Sequence, residues 1–543
     1  MRNHPWQIKP VDDGLVQRLS NDTGISSILA RLLILRGVTD PDGVRVWLHP
    51  QLTALHSPAL LSDFEPAAKR IFQAIEKRER ILVWGHDDLD GMTAVAIMVQ
   101  VLKGLRAVVD YHIPTKGKDK HGLDAGLVAN TSPLERPGLI ITVDCGISNY
   151  QDIEQLRELG VDVIVTDHHE VIPPLPPAVA IVDPKHGDTV YPYPYLSGAG
   201  VALKLGMGLI QERLAVSVNE FFSALPDLLT LVTLGTIADR APLTGENRIL
   251  VKLGLELLVR TKIPAVQAVL ELLNTDYNQL TVTSFLSELL PLFAAANGKE
   301  GVEKFLAGDT ESARVWVREL AQRSQEWRAE AERTLALAEK NVRLGDGILF
   351  VQHPELSLRA LGFSAGRLKD RYQIPVIVIG QRGDVCVGEC RGIEGVDLME
   401  LLWALRNYFI DFGGHKKAAG FTILPERVPD FITAAERYAH ENFAARIVPE
   451  NQMLADGILP LSEFTVEIVS LSPFGEGNPQ PVFISEPVRL MRMVQGIVPE
   501  SNTQLLLHAR RELPVIEPTV EYYALYTVDD LGTVTLLGLQ PSA

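Results

Sequence analysis

Two carboxylates, Asp88 and Asp90, stand two residues apart in GHDDLDG (85–91), between the apolar run ILVW (81–84) and the apolar stretch MTAVAIMVQVL (92–102). In a strand-to-helix turn both can face one point, and oxygen donors of this type suit Mg2+ or Mn2+. Further along, Asp144 follows one β-branched run, Asp167, His168 and His169 follow another, and Asp239 lies in TIADRAP. Imidazole among carboxylates shifts the preference toward Mn2+. A pair of divalent ions roughly 3.5–4 Å apart needs several carboxylates, one of them bridging. Taken singly, most of these residues have plain explanations: a DxD cap, a strand exit before glycine, a helix-terminal Asp. Consecutive histidines at a buried strand end have no packing reason. The recurrence of such groups at successive strand ends is what points to a shared site.

The elements that must position them are short runs of β-branched residues: RILVWG (80–85), RAVVDYHIP (106–114), GLIITVDCG (138–146), VDVIVTDHH (161–169) and AVAIVDP (178–184). Helical patterns lie between several of them, as in 92–105 and 149–160. Strands apolar on both faces that alternate with helices imply a parallel sheet in an open α/β domain. Such sheets bind ligands beyond the C-terminal ends of their strands, where these acidic and histidine residues fall. At 543 residues the chain is too long for one core. Residues 1–80 read as helical, and 201–300 likewise. The charged stretch 309–341 reads as a connecting helix with few large apolar residues. A second α/β unit begins near 347, and the strand-rich last 90 residues suit a small OB-like barrel.

The net charge of −17 argues against non-specific coating of nucleic acid but leaves room for a local basic groove. Lys116, Lys118 and Lys120, the His-Lys-Lys run from His415, and His508 to Arg511 are candidates for it. Three cysteines make no disulfide framework. No stretch of about 18 apolar residues or signal core is present, so a cytoplasmic protein with no membrane contact is the expectation.

TDHHE (166–170), with LIITVDCGIS (139–148) and LVTLGTIADRAPLTGENR (231–248), resembles the DHH phosphoesterases, in particular the RecJ-type single-strand-specific 5′→3′ exonucleases. ILARLLILRGV (28–38), YPYPYLSGAGVALKL (191–205), DFGGHKKAAGF (411–421) and LSPFGEGNPQPVF (471–483) extend the resemblance over nearly the whole chain. It implies a multidomain α/β fold: an N-terminal helical region (1–75), a parallel-sheet DHH domain (76–250), a helical region with the connecting helix (251–345), a smaller α/β DHH-associated domain (346–448) and a C-terminal OB-like β-barrel (449–543). The two α/β domains would face each other across a cleft.

The resemblance also implies metal-dependent hydrolysis of phosphodiester bonds in single-stranded DNA, in repair and recombination. Asp88, Asp90, Asp144, His168 and Asp239 look like the metal ligands, and His169 a group beside the scissile phosphate; Asp144, His168 and His169 are the catalytic set. The first motif of the family usually reads Gly-Asp-Tyr-Asp-x-Asp-Gly. Here His86 stands at its first Asp, as a possible ligand without negative charge, and Asp87 stands at the Tyr and is expected to point away from the site or to face solvent. Two ions are expected, Mn2+ preferred over Mg2+. The phosphate-binding Ser-x-Arg-Ser of the associated domain is reduced to Arg391, with Glu389 and Gly392 at the serines. Gly413, Gly414 and His415 are the intact glycine-rich turn for a phosphate. Tyr522, Tyr523 and Tyr526 are candidate stacking residues on the barrel. The implied partners are single-stranded DNA and, among proteins, a single-strand-binding protein or helicase, with the chain itself a monomer. The rival readings are a DHH-family phosphoesterase of oligonucleotides or small phosphate esters, and a weakened nucleic-acid-binding paralogue, an idea prompted by His86, Glu389 and Gly392.

Overall fold

A computed structural model describes residues 6–115, 120, 122–171, 173–186, 191–274, 280–393, 395–443, 454–463, 466–493, 496–500, 505–509 and 516–542; Lys116, Lys118, Arg510 and Arg511 lie outside the described residues. Two compact units emerge: Met1–Ala321 with Leu454–Ala543, and Gln322–Met453.

The first unit is built around a five-stranded sheet of β1 (Arg80–Trp84), β2 (Val108–His112), β3 (Leu139–Val143), β4 (Asp162–Thr166) and β5 (Ala180–Val182). The order is β2-β1-β3-β4-β5, and every pairing is parallel. All five residues of β3 are buried, as expected of a strand covered on both faces. The chain leaves β1 toward one edge and resumes at β3 on the other side. This makes the C-terminal ends of β1 and β3 the topological switch point, where a crevice opens in sheets of this order. The helix Leu89–Gly104 follows β1 and is buried almost all round, which explains the near absence of a polar face in 92–102. Further helices, among them Gly198–Leu214, Asp227–Ala238 and Gly245–Leu258, complete the same core.

The helix Thr310–Lys340 begins in the first unit and ends in the second. Its first turns are also core, because Trp316, Val317 and Leu320 are buried against the first unit's apolar cluster. The second unit carries a six-stranded sheet of β6 (Val342–Leu344), β7 (Leu349–Gln352), β8 (Val376–Arg382), β9 (Val385–Arg391), β10 (Phe409–His415) and β11 (Ala418–Ile423), in the order β10-β11-β9-β8-β7-β6.

In the C-terminal region, the strand Glu521–Val528 pairs with Val534–Pro541 and with Val488–Met493. The remaining pairings, through Gly496–Pro499 and Leu507–Ala509, return to Val534–Pro541. Five strands thus close on themselves, the small barrel expected from the sequence. Its core is not its own. Leu19, Leu29, Leu32, Leu33, Val44 and Trp47 of the N-terminal helices share one apolar cluster with Phe483, Leu490, Tyr526 and Leu536. Arg36 and Arg248 bind the junction: Arg36 donates to Asn478, and Arg248 to the carbonyls of Trp47, Ser470 and Ser472. Tyr522 and Tyr526 point into this core, and the Tyr526 hydroxyl donates to Leu459 O at 2.8 Å, so neither is a surface platform. No single helix among the described residues is long and apolar enough to cross a membrane.

Candidate metal centre

Asp88 ends the turn after β1 as the N-cap of Leu89–Gly104, with Oδ1 accepting from Gly91 N at 2.9 Å. This cap geometry favours Asp and also holds a negative charge at the helix's positive end. Gly91 is required by crowding, since a Cβ there would sit 2.5 Å from the His86 carbonyl oxygen. Asp90, in the first turn of that helix, is 2% exposed. Its Oδ2 accepts from Gly198 N at 2.7 Å and its Oδ1 from Ala199 N at 3.0 Å, at the start of Gly198–Leu214. The segment LSGAG therefore brings two N–H donors onto a carboxylate. A side chain on Gly198 would collide with Asp144.

Asp144 stands just past β3 in the left-handed region (φ +58). Asp is one of the few residues that tolerate this conformation. His168 Nε2 lies 3.1 Å from Asp144 Oδ1, and His168 Nδ1 lies 3.9 Å from Asp239 Oδ2. Asp239 is the C-cap of Asp227–Ala238. His86 Nδ1 is 3.1 Å from Asp88 Oδ2. Three overlapping groups can each place donor atoms within 4.8 Å of one another: His86, Asp88 and Asp144; Asp90, His168 and Asp239; and Asp144, His168 and His169. The first two of these sets, each of two carboxylates and one imidazole, fit Mn2+ or Mg2+.

The electrostatics agree with that donor set. Burial, then the Asp88 charge, push Asp90 up to about 7. Burial, then Asp90 and Asp88, push Asp239 up to about 8. Asp144 is raised well above the usual carboxylate range by burial and the same neighbours. These carboxylates crowd one another, and a cation held among them would relieve that repulsion. Burial, then the positive His169, bring His168 down to about 3, so its imidazole is neutral and free to ligate. His169 behaves oppositely. Burial would lower it, but the hydrogen bond and charge of Asp167 raise it to about 9.

Asp167 itself is buried, with Oδ1 2.7 Å from His169 Nδ1 and also accepting from His168 N, while Oδ2 accepts from Ile147 N. Against its burial, the His169 contacts bring it down to about 2. It is thus a holder of the histidines rather than a member of the donor groups. Its role was missed in the sequence because side-chain direction after a strand end is not written there. The strand-end rule also extends to Asp183 after β5, which the sequence reading passed over; it is buried, and burial lifts it to about 7.

Several expectations are corrected. The Asp87 side chain is 13% exposed rather than solvent-facing, because Gly298 at the start of Gly298–Leu306 packs over it. Lys120 is tied to Asp152 at 2.7 Å, so it is no free phosphate contact. Gly413 and Gly414 lie in β10, paired with Gly420 and Ala419; the turn falls on Lys416 and Lys417. His415 ends the same strand, and its side chain lies outside the described residues. Arg391 ends β9 and donates to Glu389 Oε2 at 3.0 Å and to Cys390 O. The carboxylate at 389 therefore partly neutralises it. Arg391, Gly413, Gly414 and His415 all belong to the second unit.

The TGENR segment, legible only as a resemblance, is a buried clasp. Glu246 takes Lys204 Nζ at 2.9 Å, the Tyr191 hydroxyl and His56 N. Asn247 donates to Tyr195 O and Pro242 O. The clasp ties the loop after Asp239 to the loop before Gly198, and so fixes two sides of the site.

Residues 80–236 match the DHH family, N-terminal domain, and residues 345–441 match the DHHA1 domain. The chain is 33% identical over 497 residues to the single-stranded-DNA-specific exonuclease RecJ of Bacillus subtilis strain 168, covering 89% of this chain and 61% of that protein. It is 33% identical over 455 residues to the Escherichia coli enzyme of the same name, covering 78% of each. The crystal structure of RecJ in complex with Mn2+ from Thermus thermophilus superposes with a TM-score of 0.80 at 26% identity, over 98% of this chain and 78% of that one. A crystal structure of exonuclease RecJ bound to manganese gives 0.60 at 29% identity, over 72% and 97%. With both domain signatures in order and a third of its residues shared across most of its length, the chain belongs to the RecJ family of single-stranded-DNA-specific exonucleases, within the DHH superfamily.

Proposed function

We propose that this chain is a metal-dependent exonuclease that removes nucleotides from the 5′ end of single-stranded DNA in repair and recombination. The observation that carries the reading is the convergence of Asp88, Asp90, Asp144, His168 and Asp239, from three strand ends and one helix end, on the switch point of a parallel sheet. In this reading those five residues hold two divalent ions, with His86 as a sixth donor. The ions, when bound, supply charge neutralisation at the phosphate and a lowered pKa for the attacking water. Mn2+ is the preferred ion because His86 brings nitrogen where a carboxylate would bring charge.

The chain's own groups do the rest. Asp90 is oriented by the Gly198 and Ala199 N–H groups, so its carboxylate cannot swing away from the site. His168 stays neutral at physiological pH. His169, protonated and anchored by Asp167, is the group that delivers a proton to the leaving 3′ oxygen. Arg391, Gly413, Gly414 and His415 are proposed to grip phosphate from the second unit, with Glu389 weakening that grip.

The reading of a non-catalytic paralogue is disfavoured, since a scaffold has no use for crowded, buried carboxylates that destabilise the metal-free fold. The test is digestion of a 5′-phosphorylated single strand with Mn2+. Release of mononucleotides that is lost in Asp144→Asn is expected. No release, or release indifferent to the substitution, refutes the reading.

A further inference from the structure

We propose that Tyr195 is a stacking platform for a base of the strand whose phosphate occupies the metal centre. The proposal rests on the nuclease reading and adds a base-contacting residue to it. In YPYPY (191–195) the three tyrosines take different fates. Tyr191 and Tyr193 are buried, and their hydroxyls are spent inside, on Glu246 and on Pro242 O and Thr244 Oγ1. Tyr195 is 52% exposed.

Its exposure is combined with a fixed position. Its carbonyl accepts from Asn247 Nδ2 at 2.6 Å, and Asn247 is fully buried. Its ring meets Tyr193 edge to face at 5.7 Å and 78°. Two residues on, Ser197 is fully buried, caps the next helix and bonds Thr236. One residue further, Gly198 N binds Asp90. Three residues of chain span at most about 11 Å. The Tyr195 backbone is therefore held within about that reach of Gly198, whose N–H binds Asp90 Oδ2 at 2.7 Å, on a loop clamped at both ends. A rigid aromatic ring loses little conformational freedom on binding.

The chemistry of the surroundings selects a base as the ligand. The site is a cluster of carboxylates in a chain of net charge −17, and Lys120, the one described lysine of its run, is already spent on Asp152. A contact through the base's π-face does not depend on charge. It also tolerates every base in turn, as an enzyme moving along a strand requires.

The test uses the full chain with Mn2+ and 5′-phosphorylated oligothymidylates carrying one abasic residue, moved through the first five positions. Tyr195→Ala is expected to raise KM about tenfold, within the range of one lost stacking contact. Mn2+ affinity by calorimetry should hold, and Tyr195→Trp should restore KM. The wild type should show a comparable KM penalty at one abasic position, and that penalty should vanish in Tyr195→Ala. An unchanged KM in Tyr195→Ala, an abasic penalty that survives in the variant, or a parallel loss of Mn2+ affinity each overturns the platform. If the wild type releases no nucleotide, the nuclease reading falls, and strand binding followed by fluorescence anisotropy decides Tyr195. About tenfold weaker binding by Tyr195→Ala then upholds the platform, and equal binding overturns it.

Discussion

His86→Asp puts a carboxylate where the family's first motif has one, and its consequences run in opposite directions with and without metal. His86 Nδ1 lies 3.1 Å from Asp88 Oδ2. Burial would lower the imidazole's pKa, but the Asp88 bond and charge raise it, so the contact is attractive. A carboxylate in its place turns attraction into repulsion. At roughly 4 Å and an effective dielectric constant of about 20, a unit-charge pair is worth about 4 kcal/mol. The Asp88 side chain is 57% exposed, and solvent screening reduces this to roughly 1–2 kcal/mol. The metal-free variant should then melt about 1–2 °C lower at pH 8. With ions bound, the added anion lies within the donor group of His86, Asp88 and Asp144. Mn2+ should bind at least about tenfold tighter, a gain of about 1.4 kcal/mol. Mg2+-supported hydrolysis should rise toward the Mn2+ rate. The assays are calorimetric titration of each ion, melting with and without it, and nucleotide release under each. An unchanged Mn2+ affinity together with an unchanged Mg2+ to Mn2+ activity ratio would refute the placement of residue 86 among the donors. An unchanged metal-free melting point would refute its coupling to Asp88.

Other outcomes follow from the same geometry. Asp90 at about 7 and Asp239 at about 8 are raised above their unfolded values, so their stabilisation of the metal-free fold is complete below about pH 4 and lost as pH rises through 7–8. Mn2+ should therefore raise the melting temperature more at pH 8.5 than at pH 6, with proton release on binding visible by calorimetry in two buffers; a pH-independent shift would count against this. Asp144→Asn and Asp144→Ala should both abolish hydrolysis, but only Ala should cost about 1 kcal/mol or more of metal-free stability relative to Asn, because the backbone is left-handed there. Equal denaturation midpoints would contradict that. Asp167→Asn removes the charge that holds His169 near 9, so the alkaline limb of the rate profile should move down toward about 6.5. A limb that stays in place would show that His169 is not the acid.

How much of this was legible in the residues depends on the range of the interaction. The runs around Leu82, Ile141 and Ile164 announce buried parallel strands locally, and Asp88, Asp144 and His168 sit at their ends by simple counting. Orientation was less legible. Nothing near Asp87 signals that Gly298, some two hundred residues on, covers it, and nothing near Lys120 signals Asp152. The glycines at 413 and 414 look like a turn because glycine permits one, yet pairing with Gly420 and Ala419 draws them into a strand. Tyr522 and Tyr526 resembled surface aromatics until the barrel closed around them. The YPYPY run hid three environments behind one residue type, separated only by partners at 242–247.

The apolar cluster shared by residues of the 13–48 helices and the C-terminal barrel also sets an order of events during synthesis. Leu29, Leu32, Leu33 and Trp47 leave the ribosome roughly 400 residues before the strands that cover them. At about 5–20 residues per second, that interval is on the order of 20–80 s. Over that time the early helices hold an apolar face with no partner, while the parallel sheet between them and the barrel can already fold. The nascent chain should thus draw on chaperones at its first fifty residues, and release of that chaperone should coincide with completion of the barrel rather than with folding of the catalytic sheet.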